Sequence, residues 1–236
     1  MKNILLNNVI IKNLYKKNIY LKNKFKINKL VSKIFNEIDY KKNNFHSLSK
    51  KFRLNFNARD VKKYQKFKTV AIFGMGGSIL GAEAIYSFLK HKVKKEFFFF
   101  NNLNEDKIKE INNKKKIGKT LFIFISKSGN TLETLTNINL IKGHKINSNN
   151  TIIITERNKA ILNKLSVKHK IYLVEHKNYI GGRYSVLSEV GMLPAYLMGL
   201  SVNMIRKNIR KYFTIKKNIL VDSTAKISQI YLSKKN

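Results

Sequence analysis

The sequence predicts an α/β fold: a three-layer αβα sandwich around a five-stranded parallel sheet, preceded by a helical arm. Three observations carry this. From residue 68 onward, short apolar runs alternate with segments of helical periodicity. Several runs lack polar alternation and are rich in β-branched and aromatic residues, as strands buried on both faces are. Strands that alternate with helices are joined by crossovers, and crossovers cover both faces of a parallel sheet.

The elements follow in order. Residues 1–66 are rich in Lys and Asn and are expected to form the arm. Within it Val31, Ile34, Phe35 and Ile38 recur at helical spacing, so a helix is expected around 29–39. The opening stretch MKNILLNNVIIKN is broken by Asn7 and Asn8 and precedes no small-residue cleavage site, so no signal peptide is expected. The main domain is expected over 67–200. Its strands are Thr69–Phe73, Phe97–Phe100, Leu121–Ile125, Thr151–Thr155 and Ile171–Val174. Its helices are Ser78–Leu89, a short one over Lys107–Ile111, Thr131–Ile141 and Lys159–Val167. A further helix follows Gly181-Gly182-Arg183, with Pro194 expected at a first turn or a kink. Val202–Phe213 reads as a basic helix and Ala225–Leu232 as a closing one; 201–236 is expected to start a connection to a second half.

Composition bounds the partners. The chain has 236 residues, no Cys and a formal net charge of +35. Disulfides and thiolate metal sites are excluded. The charge alone suggests nucleic acid or an anionic surface. Yet Lys, Asn, Ile and Phe are over-used in loops and helices alike, with Pro 1 and Trp 0. That even spread fits drift of an AT-rich coding sequence better than a binding face. No basic helix face, zinc module or aromatic-basic RNA motif sharpens the nucleic-acid reading. No apolar run approaches the roughly 20 residues of a membrane span. The expectation is a cytoplasmic protein with no specific nucleic-acid partner, membrane partner, metal or cofactor.

Two small-residue loops carry the chemistry. In LFIFISKSGNTLE, residues 121–133, a buried strand runs into Ser126-Lys127-Ser128-Gly129-Asn130-Thr131 and then a helix start. Unpaired N–H groups at a helix N-terminus, three hydroxyls and one lysine suit a phosphate. Gly129 allows a backbone conformation closed to other residues. Lys127 reads equally as a solvated loop lysine. Glu133, three residues after Asn130, has capping-box-like spacing. The second loop, Gly74-Met75-Gly76-Gly77-Ser78, follows the first strand directly. Ile79 stands where a dinucleotide fingerprint needs Gly, and no Gly-Lys-Ser/Thr follows for a triphosphate loop. In a 2-1-3-4-5 sheet, strands one and three flank the switch point, where ligands bind. The two loops would then meet over one crevice.

The stretch GGRYSVLSEVGMLP, residues 181–194, closely resembles the signature of the glucose-6-phosphate isomerase family. GMGGS and SKSGNTLET likewise resemble the loops of its first sugar-isomerase (SIS) domain, whose sheet has flavodoxin-like order. The resemblance covers roughly residues 68–200. It implies aldose–ketose isomerisation of glucose 6-phosphate and fructose 6-phosphate through a cis-enediol, in glycolysis and gluconeogenesis. It further implies a homodimer in the complete enzyme and no cofactor. Gly77 and Ser78 resemble the first ligand-binding turn. Ser126, Lys127, Ser128 and Thr131 resemble the sugar-phosphate loop. Gly182 and Arg183 resemble the pair beside the reacting carbons, with Arg183 catalytic because a fixed guanidinium stabilises developing negative charge.

The family's base glutamate, ring-opening histidine and late lysine lie further along than residue 236, and no Glu or His follows Glu189. The expectation is therefore an incomplete chain lacking the base. Glu175 and His176, just past the last strand, are local candidates for that role, and a surface pair is the alternative. Two other readings stay open: a non-catalytic SIS module that binds sugar phosphate as a regulator, and a dual glucose/mannose-6-phosphate isomerase.

Overall fold

The computed structural model describes residues 17–103, 106, 108–109, 111, 119–141 and 146–233. The opening stretch read for a signal peptide lies outside them. The described residues fall into two compact units. One comprises Lys42–Arg206; the other joins Met1–Lys41 to Lys207–Asn236.

The first unit contains the sheet. Its strands are β1 (Thr69–Phe73), β2 (Glu96–Phe100), β3 (Thr120–Ile125), β4 (Thr151–Thr155) and β5 (Tyr172–Glu175). They form one five-stranded sheet in the order β2-β1-β3-β4-β5, and every pairing is parallel. The burial pattern explains that order. All six residues of β3 and all five of β4 are buried, so these strands are covered on both faces. Edge strand β2 begins exposed at Glu96, and edge strand β5 buries only Val174.

Each face has its own core. One gathers Val70, Ile72, Leu121, Ile123, Ile125 and Val174 with Ile79, Ala82, Val190, Leu193 and Leu197. The last five come from the helical segments that cover this face: α3 (Leu80–Leu89) with the turn before it, and the later Glu189–Leu197 helix. The opposite face packs Ala71, Phe73, Phe122, Phe124 and Ile153 against α4 (Leu132–Leu140) and α5 (Ile161–Lys168), through Ile138 and Leu162. Of the short helix expected over 107–111, only 108, 109 and 111 are described; Ile108 and Ile111 are buried in this second core. Residues 42–66 join the same unit, through α2 (Ala58–Val61) and the buried side chains Phe52, Val61 and Tyr64.

Several boundaries depart from expectation. The helix expected at Ser78 begins at Leu80, because Gly76–Ser78 form a tighter 3₁₀ turn. In α6 (Glu189–Leu197) Pro194 sits inside the helix, neither at its first turn nor at its end. All of α6 but Tyr196 is buried, so packing holds a segment in which proline removes a hydrogen bond. The basic helix expected over 202–213 is two pieces, α7 (Val202–Lys207) and α8 (Ile209–Ser233), with a turn at Asn208. Residues 225–232 belong to α8 and form no separate helix.

The second unit pairs α1 (Lys17–Glu37) with α8. The contacts Tyr20–Asp222, Ser32–Lys217 and Phe35–Phe213 run in opposite senses along the two helices, so they are antiparallel, and Asp39 in the turn after α1 continues the series with Arg210. Asp222 anchors this pair: Lys226 lies 2.6 Å away and Lys24 3.4 Å away. The expected helix at 29–39 is the second half of α1, whose first half is too polar to show a clear apolar period.

Candidate functional site

Adjacent parallel strands end side by side, so whatever follows them is juxtaposed. β1 and β3 are neighbours in register, Phe73 beside Phe124. Their trailing loops, Gly74–Ser78 and Ser126–Thr131, therefore share one end of the sheet. They approach so closely that a Cβ on Gly74 would lie 2.9 Å from the Ile125 carbonyl oxygen.

The β3 loop is tied by its own hydroxyls. Ser126 Oγ lies 2.7 Å from Thr131 Oγ1 and 3.4 Å from Ser128 Oγ. Gly129 N–H donates to Ser126 Oγ at 3.1 Å, and Asn130 N–H to Ser128 Oγ at 3.3 Å. Gly129 has φ +74°, and a Cβ there would meet the Ala160 Cβ at 2.8 Å. Both the backbone and the space demand glycine. Helix α4 then begins with Thr131 as N-cap and no side-chain cap bond, so its first N–H groups stay open at the loop. The expected pairing of Asn130 with Glu133 is not formed. Asn130 Oδ1 accepts instead from Ile161 N–H at 2.9 Å, and Glu133 is exposed. The side chain that would have capped α4 holds α5.

The third component is the 3₁₀ turn Gly182–Tyr184. It lies directly on the β1 loop: a Cβ on Gly77 would sit 2.3 Å from the Gly182 carbonyl carbon. Ser185, fully buried, has its Oγ 3.0 Å from Gly77 O and 2.7 Å from Gly182 O. Ser188 Oγ donates to Ser185 O at 2.7 Å and caps α6. Gly81 and Gly191 both face Val186, and a Cβ on Gly191 would fall 2.0 Å from its carbonyl oxygen. Most small residues of the 181–191 stretch are thus packing requirements. Arg183 differs: its side chain is exposed and, among the described residues, forms no ion pair or hydrogen bond.

The fold brings Gly77, Ser78, Gly182 and Arg183 together through the 77–182 contact. It brings Ser126, Ser128 and Thr131 together in the β3 loop. Lys127 is turned elsewhere, with Nζ 2.6 Å from Asn178 O and 3.5 Å from the Glu156 carboxylate. The local candidates for a base are engaged. Glu175 pairs with Arg157 at 3.3 Å. His176 is 2% exposed, with Nδ1 3.0 Å from Lys177 O, and burial pushes its pKa below the ordinary histidine value. Glu189 is fully buried; its Oε1 accepts from Lys177 Nζ at 2.8 Å and from Asn55 N–H at 2.9 Å. Among the described residues no cluster of His and acidic side chains could hold a metal ion.

Sequence reasoning missed the residues behind the arginine turn. Asn44 Oδ1 accepts from Gly181 N–H at 2.6 Å, and Ser47 Oγ donates to Tyr184 O at 3.2 Å. They sit in a Lys- and Asn-rich stretch with no motif, and nothing local marked them.

Comparison with known proteins bears on the family and the fold. The chain is 32% identical over 164 residues to a glucose-6-phosphate isomerase of Methanocaldococcus jannaschii, covering 69% of this chain and 41% of that protein. It is 38% identical over 144 residues to a glucose-6-phosphate isomerase of Borreliella afzelii, covering 55% of this chain and 26% of that one. The chain thus spans less than half the length of these relatives. A solved hypothetical protein from Thermus thermophilus superposes with TM-score 0.64 at 18% identity, over 87% of this chain and 51% of that one. A crystal structure of a glucose-6-phosphate isomerase from Chlamydia trachomatis gives TM-score 0.53 at 24% identity, over 66% and 30%. These two likenesses concern the fold. The phosphoglucose isomerase family model matches residues 21–208, a span that contains both loops and the Gly-Gly-Arg turn, and the chain belongs to that family.

Proposed function

We propose that the protein acts as a glucose-6-phosphate isomerase, interconverting glucose 6-phosphate and fructose 6-phosphate through a cis-enediol. In this reading the loop 126–131 receives the phosphate, with Ser126, Ser128 and Thr131 as hydroxyl donors and the Lys127 backbone within the cradle. Gly77, Ser78 and Gly182 line the sugar, and Arg183 faces the charge that develops on the enediolate oxygen. The observation that supports it is the backbone contact of Gly77 with Gly182, the residue directly before the exposed Arg183. A proton must also move between the two carbons. The described carboxylates Glu156, Glu175 and Glu189 are each paired to a cation, so we assign the base to none of them.

The proposal extends to residues 67–200 as the sugar-phosphate-binding module, with 201–236 leading onward from it. It also extends to a homodimeric, cytoplasmic protein that uses no cofactor and no specific nucleic-acid or membrane partner. Among the described residues no helix is long and apolar enough to cross a membrane. A coupled isomerase assay on the protein as encoded, with glucose, mannose and other sugar phosphates compared, tests the activity. Turnover of a different sugar phosphate with none of glucose 6-phosphate would overturn it. Arg183→Ala should lower kcat by about 10²–10³ with a smaller change in KM, because the group acts mainly on transition-state charge. Light scattering of the same sample tests the dimer.

A further inference from the structure

Lys127 stands between two serines of the cradle, yet its side chain does not share their direction. Ser126 Oγ faces Thr131 and Ser128, whereas Lys127 Nζ reaches Asn178 O at 2.6 Å and Glu156 at 3.5 Å. Glu156 directly follows β4, and its N–H donates to Lys127 O at 3.1 Å, so the two residues are held together twice. Asn178 belongs to the segment that leads from β5 to Gly181-Gly182-Arg183. That segment is fixed elsewhere by His176 N–H on Thr155 O at 2.8 Å and by Gly181 N–H on Asn44 at 2.6 Å. Lys127 ties it to the cradle itself.

We infer, on the basis of the cradle reading, that the Lys127 side chain is a strut between the phosphate loop and the arginine-bearing segment, and not the counter-charge of the phosphate. An ammonium has three N–H donors, and here one is taken by a main-chain carbonyl and another is directed at a carboxylate. Turning toward a phosphate would give up both and release the segment that positions Arg183. The phosphate charge is then met by backbone N–H groups and hydroxyls, as in other anion sites at helix N-termini. Lys127 is a positioning residue.

Hydrogen exchange of the ligand-free chain and titration with inorganic phosphate test this together. In Lys127→Met, amides of residues 178–183 should exchange at least about tenfold faster, as a local opening becomes easier. The dissociation constant for phosphate should change by less than about threefold, since a group that makes no contact with the ligand contributes little to its affinity. Lys127→Arg keeps the charge and donors and should restore protection. Glu156→Gln leaves the cradle intact and should loosen the same amides to a smaller extent. Unchanged exchange in Lys127→Met overturns the strut. So does a phosphate affinity lowered by more than about tenfold. If the unmodified chain fails to bind phosphate, the cradle reading falls, while the exchange data still decide the strut.

Discussion

Ser185 has one proton to donate and two carbonyl oxygens within reach, one on each of the loops it joins. Ser185→Ala removes that donor from a part-buried junction in which Gly182 O keeps only the Ser185 N–H at 3.2 Å, and a lost neutral hydrogen bond typically costs about 0.5–1.5 kcal/mol. Urea unfolding should show a lower midpoint with the slope unchanged; an unshifted midpoint would mean that the contact of Gly77 with Gly182 holds the loops alone. At the cradle, Ser126→Ala with Thr131→Ala should weaken sugar-phosphate binding by about 2–4 kcal/mol, since a hydrogen bond to a charged group is worth roughly 1.5–3. Calorimetry that finds equal affinity would locate the phosphate elsewhere. His176 gives a pH signature. Burial lowers its pKa from 6.5, so the folded state favours the neutral ring and the unfolded chain takes up the proton first. Its contribution is therefore complete above pH 6.5 and is lost as pH falls through the lower folded value. Replacing His176 with Asn should flatten the acid limb of a stability–pH curve, and an identical limb would rule the residue out as its source.

At the scale of elements, the start of α6 depends on a buried pair. Glu189 is fully buried, and Lys177 on the β5 side keeps only 15% of its side chain exposed. Lys177 Nζ also donates to Arg53 O at 2.8 Å and lies 4.7 Å from the Phe52 ring centre. Glu189 Oε2 has no hydrogen-bond partner among the described residues, so the carboxylate is already under-satisfied. Removing its cation strands a buried charge, which typically costs about 3–5 kcal/mol, whereas replacing both partners with apolar groups is often neutral. Lys177→Met should thus be severely destabilising, and Lys177→Met with Glu189→Leu should recover most of the loss. Additive losses in that double-mutant cycle would show that the two residues act independently. The pair explains why a glutamate stands in a helix otherwise made of apolar and small residues.

For the whole molecule, the net charge of +35 is the dominant long-range feature. It will attract any polyanion. Binding to duplex DNA of arbitrary sequence should weaken linearly in log K against log salt, with no preference among sequences. A sequence preference that persists at high salt would instead mark a dedicated nucleic-acid face.

The sequence by itself determined the five strands, both small-residue loops and the family, and the family resemblance implied the 2-1-3-4-5 order that the sheet has. These are legible because burial on both faces writes itself into consecutive residues, as in Leu121–Ile125, and because a loop that must approach another backbone needs glycine. Tertiary structure alone decided where the charged and amide side chains went. Lys127 faces Asn178 across 51 positions, and Asn44 reaches Gly181 across 137. Asn130 turned from its own helix to the next one, and Pro194 stayed inside a helix that is buried on nearly every side. Periodicity reports a residue's exposure to a face. A long polar side chain chooses among partners that only the folded chain brings within reach, and that choice leaves no trace in local pattern.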